Sequence, residues 1–169
     1  CLSMNEIILI GAGGHSKVIQ DIIFASKIGR IYAILDDSIH EQKIENGIIF
    51  SNTKFIHQIK SYDYKFCVCI GNNKARKTII NKLNLPVKNY ITLIHPSAVI
   101  SNSVKLGFGT VVMPNAIINS DTIIGNHCII NSGAVVEHDN KINNYAHISP
   151  NCTLTGNVTV GEGSHIGAG

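Results

Sequence analysis

From Ile94 onward, an aliphatic residue returns at every sixth position: Ile94, Ile100, Leu106, Val112, Ile118, Ile124, Ile130, Val136, Ile142, Ile148, Leu154, Val160 and Ile166. An α-helix, at about 3.6 residues per turn, does not bring every sixth residue to one face. A second column lies four residues after each aliphatic and is small or β-branched: Ala98, Val104, Thr110, Ala116, Thr122, Cys128, Ala134, Ala146, Cys152, Val158 and Ser164. Only Asn140 breaks that second rule. A period of six marks a parallel β-helix, in which short strands wind as a prism. With three hexads to a turn, residue i lies beneath residue i+18 at about 4.8 Å, the spacing of paired strands. The aliphatics then line one continuous core, and Gly and Asn take the strained corners. Residues 94–169 make about four such coils.

Residues 4–90 follow another rule and alternate β with α. "EIILIGAGGHSKVIQDIIFA" reads as an apolar strand, a Gly-rich turn and a helix whose buried stripe is Val18, Ile19, Ile22 and Ile23. "IYAILDD" is a second strand ending in two acids, and "FCVCIGNN" another. "KARKTIINKL" is a helix with Ile79, Ile80 and Leu83 inward. The expectation is a small parallel sheet with crossover helices over 4–90, then a β-helix over 91–169.

Composition narrows the classes of function. The chain has 169 residues, of which 44% are hydrophobic and 15% charged, so it folds around a core. Its net charge of +3 comes without a dense basic block. Lys74, Arg76 and Lys77 are the nearest approach to one, which speaks against nucleic acid and suits a phosphorylated small molecule. No apolar run reaches the roughly 18 residues that cross a bilayer. Met4 reads as the natural start, with Cys1–Leu2–Ser3 an appended remnant, and the cytoplasm is the expected compartment. Cys67 and Cys69 alternate along a strand as small buried hydrophobes, and no spacing among the Cys and His residues makes a metal site.

The six-residue beat resembles the left-handed β-helix of hexapeptide-repeat acyltransferases. The handedness comes from that resemblance, since the general preference of parallel crossovers is right-handed. With the Gly-rich unit in front, the chain resembles the bacterial sugar N- and O-acetyltransferases of the PglD/NeuD type. The motifs that carry this are "IGAGGHSKV", "ILDD", "IGNN", "LIHPSAVIS", "VVEHD" and "LTGNVTVG", in family order across most of residues 5–169. The resemblance implies acetyl-CoA as co-substrate, a nucleotide-sugar acceptor, a homotrimer with sites between subunits, and no metal. It makes 4–90 a Rossmann-like sugar-nucleotide-binding domain. The catalytic base falls on His138 and its carboxylate on Asp139, where the family has Glu. His147 falls near the thioester, and Gly156 supplies a backbone N–H to the thioester carbonyl. Gly167 and Ala168 flank the pantetheine arm. Gly13, Gly14, Asp36, Asp37, Asn72 and Asn73 match the nucleotide site, and His15 lies near the acceptor.

From the residues alone, His138 between Glu137 and Asp139 is either a solvated corner or a base held by a carboxylate. The chemistry requires such a base. An amino sugar arrives as ammonium, and its nitrogen attacks a thioester only once its lone pair is free. A neutral imidazole accepts that proton, and a carboxylate fixes its tautomer. "GAGGHS" lacks the third Gly of a dinucleotide fingerprint, and fewer than 90 residues precede the coils, which leaves room for one mononucleotide half. His95, His127 and His165 scatter in hexad phase and read as surface residues. The function implied is N-acetylation of the 4-amino group of a UDP-linked amino-dideoxy sugar. O-acetylation of sialic acid or another surface sugar, or a non-catalytic sugar-nucleotide-binding scaffold, are the alternatives.

Overall fold

The computed structural model describes residues 4–169; the remnant expected at Cys1–Ser3 lies outside the described residues. Strands β1 (Asn5–Ile10), β2 (Gly29–Leu35), β3 (Lys43–Glu45), β4 (Ile48–Ser51) and β5 (Lys65–Val68) form one sheet in the order β3-β4-β2-β1-β5. All pairs are parallel except β3 with β4. β1 is central and covered on both faces, which explains its unbroken apolar run. Ile7 and Leu9 pack with Ile19, Ile22 and Ile23 of helix α1 (Gly14–Ser26). Ile8 and Ile10 point the other way, to Phe55, Phe66 and Ile80, the last on helix α2 (Asn73–Leu83). Cys67 and Cys69 share the α1 face, as their spacing predicts. Val18 does not join the stripe and is 36% exposed. It lies beside the i, i+3 row of Ser16, Ile19 and Ile22, and the small Ser16 takes the inward place.

The C-terminal part is a left-handed β-helix of thirteen two-residue strands in three sheets. The first face stacks Leu93–Ile94, Val111–Val112, Ile129–Ile130, His147–Ile148 and His165–Ile166. The second stacks Val99–Ile100, Ile117–Ile118, Val135–Val136 and Thr153–Leu154, and the third Lys105–Leu106, Ile123–Ile124, Lys141–Ile142 and Thr159–Val160. Every pair is parallel with a step of 18, as the hexads require. Nine of the periodic aliphatics, Val112 through Val160, are buried in one core cluster. Ile100, Leu106 and Ile166 are half-buried against it, and Ile94 is 37% exposed. The expectation that all thirteen lie inside therefore fails at Ile94, because a first coil has no neighbour below to close over it.

Corner residues form a third column. Gly109, Asn115, Asp121, His127, Gly133, Asp139, Tyr145, Asn151, Asn157 and Gly163 all have positive φ. Asn and Asp tolerate this left-handed conformation best after Gly, so the column is mostly built from those three.

The first face of the prism is covered by the N-terminal unit. Leu93, Val111 and Ile129 belong to the same cluster as Ile19 and Ile22 of α1. Arg76 of α2 is buried in this seam and all five of its N–H groups are paired. Nε donates to His127 O, one amino group to Ile70 O and Gly71 O, and the other to Asn73 Oδ1 and Tyr145 O. Its place in a phosphate-binding cluster is thus corrected: Arg76 fastens the two units together. Lys77, exposed, pairs with Glu162 at 3.3 Å, and its ammonium lies over the Tyr145 ring.

Candidate functional site

His138 occupies the corner between the second and third faces, two residues past Val136. Asp139 follows in the left-handed conformation (φ 57), which folds its carboxylate back toward the imidazole. His138 Nδ1 lies 2.8 Å from Asp139 Oδ2. A carboxylate oxygen accepts, so Nδ1 carries a proton, and in the neutral ring the lone pair is on Nε2. The shorter Asp side chain thus reaches its histidine. Both side chains are more than half exposed.

The next coil places Gly156 directly against the ring. A Cβ on Gly156 would lie 2.7 Å from both Cε1 and Nε2 of His138. Nε2 therefore faces the backbone of Gly156, the glycine singled out as a donor to a thioester carbonyl. His138, Asp139 and Gly156 are brought together as expected. Behind them, Asn119 Nδ2 donates to Glu137 Oε2 at 2.8 Å and Thr122 Oγ1 to Glu137 O at 2.9 Å.

A second group lies in the seam between the units. His147, buried on the first face, has its Nδ1 3.2 Å from Gly71 O and its Nε2 3.0 Å from Asn131 Nδ2. Ser132 N donates to Asn131 Oδ1, so the Asn131 amide must donate through nitrogen. His147 is therefore neutral with its proton on Nδ1. Burial is the main cause that lowers its pKa, and the neighbouring His165 and Arg76 add to it. His165 stacks on it at 4.5 Å and 3° and meets Ser149 Oγ at 2.7 Å. The surface assignment of His165 holds for exposure, yet the ring is engaged. The same assignment fails for His127, which is 5% exposed and packed between Tyr90 and Tyr145. Burial, with help from Arg76, lowers the His127 pKa to about 4. His15 is lowered to about 4 by burial, then by His147 and Arg76, and its buried Nε2 has no partner.

At the mouth of the N-terminal unit, Gly11 (φ 119) passes so close to Cys69 O that a Cβ would lie 2.9 Å from it. Gly13 and Gly14 open α1 with no side-chain cap, and a Cβ on either would meet nothing within 4 Å. Free N–H groups and open space at a helix start suit an anion. Asp36 accepts from Ala12 N at 2.8 Å and from Ser38 N at 2.9 Å, which ties the Gly-rich turn to the end of β2. Burial pushes its pKa up, but these hydrogen bonds outweigh that and hold it below the ordinary value. Asp37 accepts from Thr53 Oγ1 at 2.6 Å and borders a groove of about 440 Å³ with Lys54, His57, Ile79 and Lys82. Asn72 and Asn73 are occupied differently: Asn72 caps α2 through Ala75 N, and Asn73 donates across the seam to Gly163 O and Ser164 O. Gly167 and Ala168 are exposed after the last strand, on the edge between the first and second faces. Among the described residues no His, Cys, Asp and Glu group could hold a metal, and no helix is long and apolar enough to cross a membrane.

Both parts of the chain match known proteins. Residues 6–83 match the PglD N-terminal domain, and residues 103–138 match the bacterial transferase hexapeptide (six repeats). Over 109 residues the chain is 44% identical to UDP-N-acetylbacillosamine N-acetyltransferase of Bacillus subtilis (strain 168), which covers 63% of this chain and 50% of that protein. It thus spans about half the length of that curated relative. Among solved structures, a mutant of perosamine N-acetyltransferase from Caulobacter crescentus, in complex with CoA and GDP-perosamine, superimposes with a TM-score of 0.84 at 32% identity, over 98% of this chain and 78% of that one. The acetyltransferase domain of PglB from Neisseria gonorrhoeae FA1090, in complex with acetyl coenzyme A, does so with 0.85 at 32%, over 98% and 80%. The chain belongs to the bacterial hexapeptide-repeat sugar acetyltransferases of the PglD type.

Within one chain of this acetyltransferase family member, the expected site residues fall apart. His138, Asp139 and Gly156 lie on the edge between the second and third faces. His15, His147 and Asn73 lie at the first face, under the N-terminal unit. In a triangular prism that edge is opposite that face. Sequence reasoning also missed Arg76, Asn119, Thr122 and Asn131. The break at Asn140 was a visible signal for the network behind His138; nothing local pointed to Arg76.

Proposed function

We propose that this chain transfers the acetyl group of acetyl-CoA to the 4-amino group of a UDP-linked amino-dideoxy sugar, with His138 as general base. The observation that carries this reading is the imidazole at 2.8 Å from Asp139, with its free Nε2 against Gly156. His138 Nε2 takes a proton from the amine as its nitrogen bonds to the thioester carbon. The carbonyl electrons move to oxygen, where the Gly156 N–H stabilises the charge. The oxyanion then collapses, the C–S bond breaks, and CoA leaves as thiolate, to be protonated by the imidazolium or by water. Asp139 holds the tautomer and favours the imidazolium.

The sugar's pyrophosphate sits at Gly13 and Gly14, and the ribose reaches Asp37. His138 and this cleft lie on opposite sides of one prism, so the acceptor is presented by a second copy. The second face supports such an assembly: its outward residues Val99, Ile117 and Val135 are aliphatic, and Val99 is 64% exposed. That stripe borders the His138 edge, and a homotrimer closed through it places a base from one copy beside a cleft from the next. A panel of UDP-, GDP- and CMP-linked amino and hydroxy sugars with acetyl-CoA, followed by thiol release, tests the reading. Release with UDP-linked amino sugars supports it; release only with hydroxyl acceptors, or with none, overturns it.

A further inference from the structure

Asn140 is the one residue that breaks the small-residue column, and it is buried. A buried amide is costly unless its polar atoms are paired, and here both ends are used. Asn140 Nδ2 donates to Glu137 O at 3.0 Å, and Val158 N donates to Asn140 Oδ1 at 2.5 Å.

Several corners of this prism close within themselves. The fourth residue of the corner donates its N–H to the first, as in Val104 to Ser101 (3.1 Å), Ala98 to His95 (3.0 Å) and Cys152 to Ser149 (3.2 Å). At residues 137–140, as at 125–128, the fourth N–H goes down to a threonine instead: Asn140 N to Thr122 Oγ1 at 3.2 Å, and Cys128 N to Thr110 Oγ1 at 3.1 Å. At 155–158 the Val158 N–H goes down to Asn140. Thr122, Asn140 and Val158 thus form a continuous polar thread along the inside of one edge.

The two corners joined by the Asn140 amide are the one that carries His138 and the one that carries Gly156. These are the two walls of the slot in which the imidazole sits. We infer that Asn140 is a positioning residue for His138, holding the His138 corner and the Gly156 corner in the register that seats the ring. This rests on His138 being the base, and the two claims can be tested apart.

Two near-isosteric variants isolate the role. Val and Thr both occur in this column, at Val104, Val158, Thr110 and Thr122. Thr restores the acceptor for the Val158 N–H, as Thr110 Oγ1 accepts from Cys128 N at 3.1 Å; Val does not. Thermal unfolding shows that each variant is folded. The His138 Cε1–H resonance is then followed by NMR, and kcat and KM are measured with acetyl-CoA and a UDP-linked amino-dideoxy sugar. Asn140→Val is expected to shift or broaden the His138 signal and to lower kcat about tenfold or more, with KM for acetyl-CoA unchanged. Asn140→Thr is expected to keep the signal and to hold kcat within about threefold of the parent chain. Equal behaviour of the two variants, or a fall in kcat with the His138 signal unmoved, overturns the positioning role. A His138 signal displaced in Asn140→Val with kcat intact leaves the positioning role standing and overturns His138 as the base.

Discussion

Gly156→Ala tests the slot around the His138 imidazole with a single methyl group. The added Cβ would stand 2.7 Å from Cε1 and Nε2 of His138 and 3.3 Å from Cδ2. Carbon atoms rest at about 3.5–4.0 Å, so the ring must retreat by about 1 Å. The ring is the part that yields, because it is exposed while the Gly156 corner is tied to the coil below through Asn157 N to His138 O and Val158 N to Asn140 Oδ1. A displacement of about 1 Å at a reacting group costs about 10²-fold in rate, close to 2.7 kcal/mol of transition-state stabilisation. The backbone at Gly156 is not left-handed, so alanine adds no strain there. Stability should hold or rise by about 0.4–1 kcal/mol through the unfolded chain. The assay is initial-rate thiol release beside a thermal melt, with Gly161→Ala as control, whose Cβ would meet only Ser164 Oγ at 3.5 Å. A Gly156→Ala protein with kcat within threefold of the parent, or one that loses activity only by unfolding, would refute the slot.

Three further outcomes follow from the same structure. His138→Ala should lower kcat by about 10²–10⁴ with little change in acetyl-CoA affinity, Asp139→Asn should cost less, and Glu137→Gln least; raising pH should partly rescue His138→Ala, and full activity at neutral pH would leave His138 a solvated corner. Asp37→Ala should weaken sugar-nucleotide binding in calorimetry and leave acetyl-CoA binding alone; equal loss of both would mean that the N-terminal unit had unfolded. Acid should destabilise the fold through its buried neutral histidines. The folded pKa of His127 is about 4 against an ordinary 6.5, so its contribution is complete above pH 6.5 and is lost as pH falls toward 4. That loss is on the order of 3 kcal/mol, and His127→Asn, which suits the left-handed corner, should flatten the fall in melting temperature over that window.

The β-helix was legible because each coil repeats one local rule. A core aliphatic, a small residue and a left-handed corner recur every six residues, and the 18-residue register follows from three faces. The His138–Asp139–Gly156 group came from the resemblance to the family, and the 18-residue step is what stacks residue 156 on residue 138. What was not legible depends on docking between the units. Arg76 reads with Lys74 and Lys77 as a basic cluster, yet its burial is set by the carbonyls of His127 and Tyr145, far along the chain. His127 is hidden by Tyr90 and Tyr145, which no hexad phase reveals. Asn72 and Asn73 match a nucleotide motif, yet their side chains cap α2 and bridge the seam. Ile94 obeys the period but sits where the first coil has nothing beneath it.

The central claim is that acetyl transfer needs His138 from one copy and the nucleotide cleft of another. Mixing His138→Ala chains with Asp37→Ala chains, each defective alone, tests it most directly. After unfolding and refolding together in equal amounts, about one quarter of the sites should combine an intact His138 with an intact Asp37. Thiol release should then return to about one quarter of the parent rate. A mixture no more active than its components would place the whole reaction within one chain, or nowhere on it, and would contradict the account.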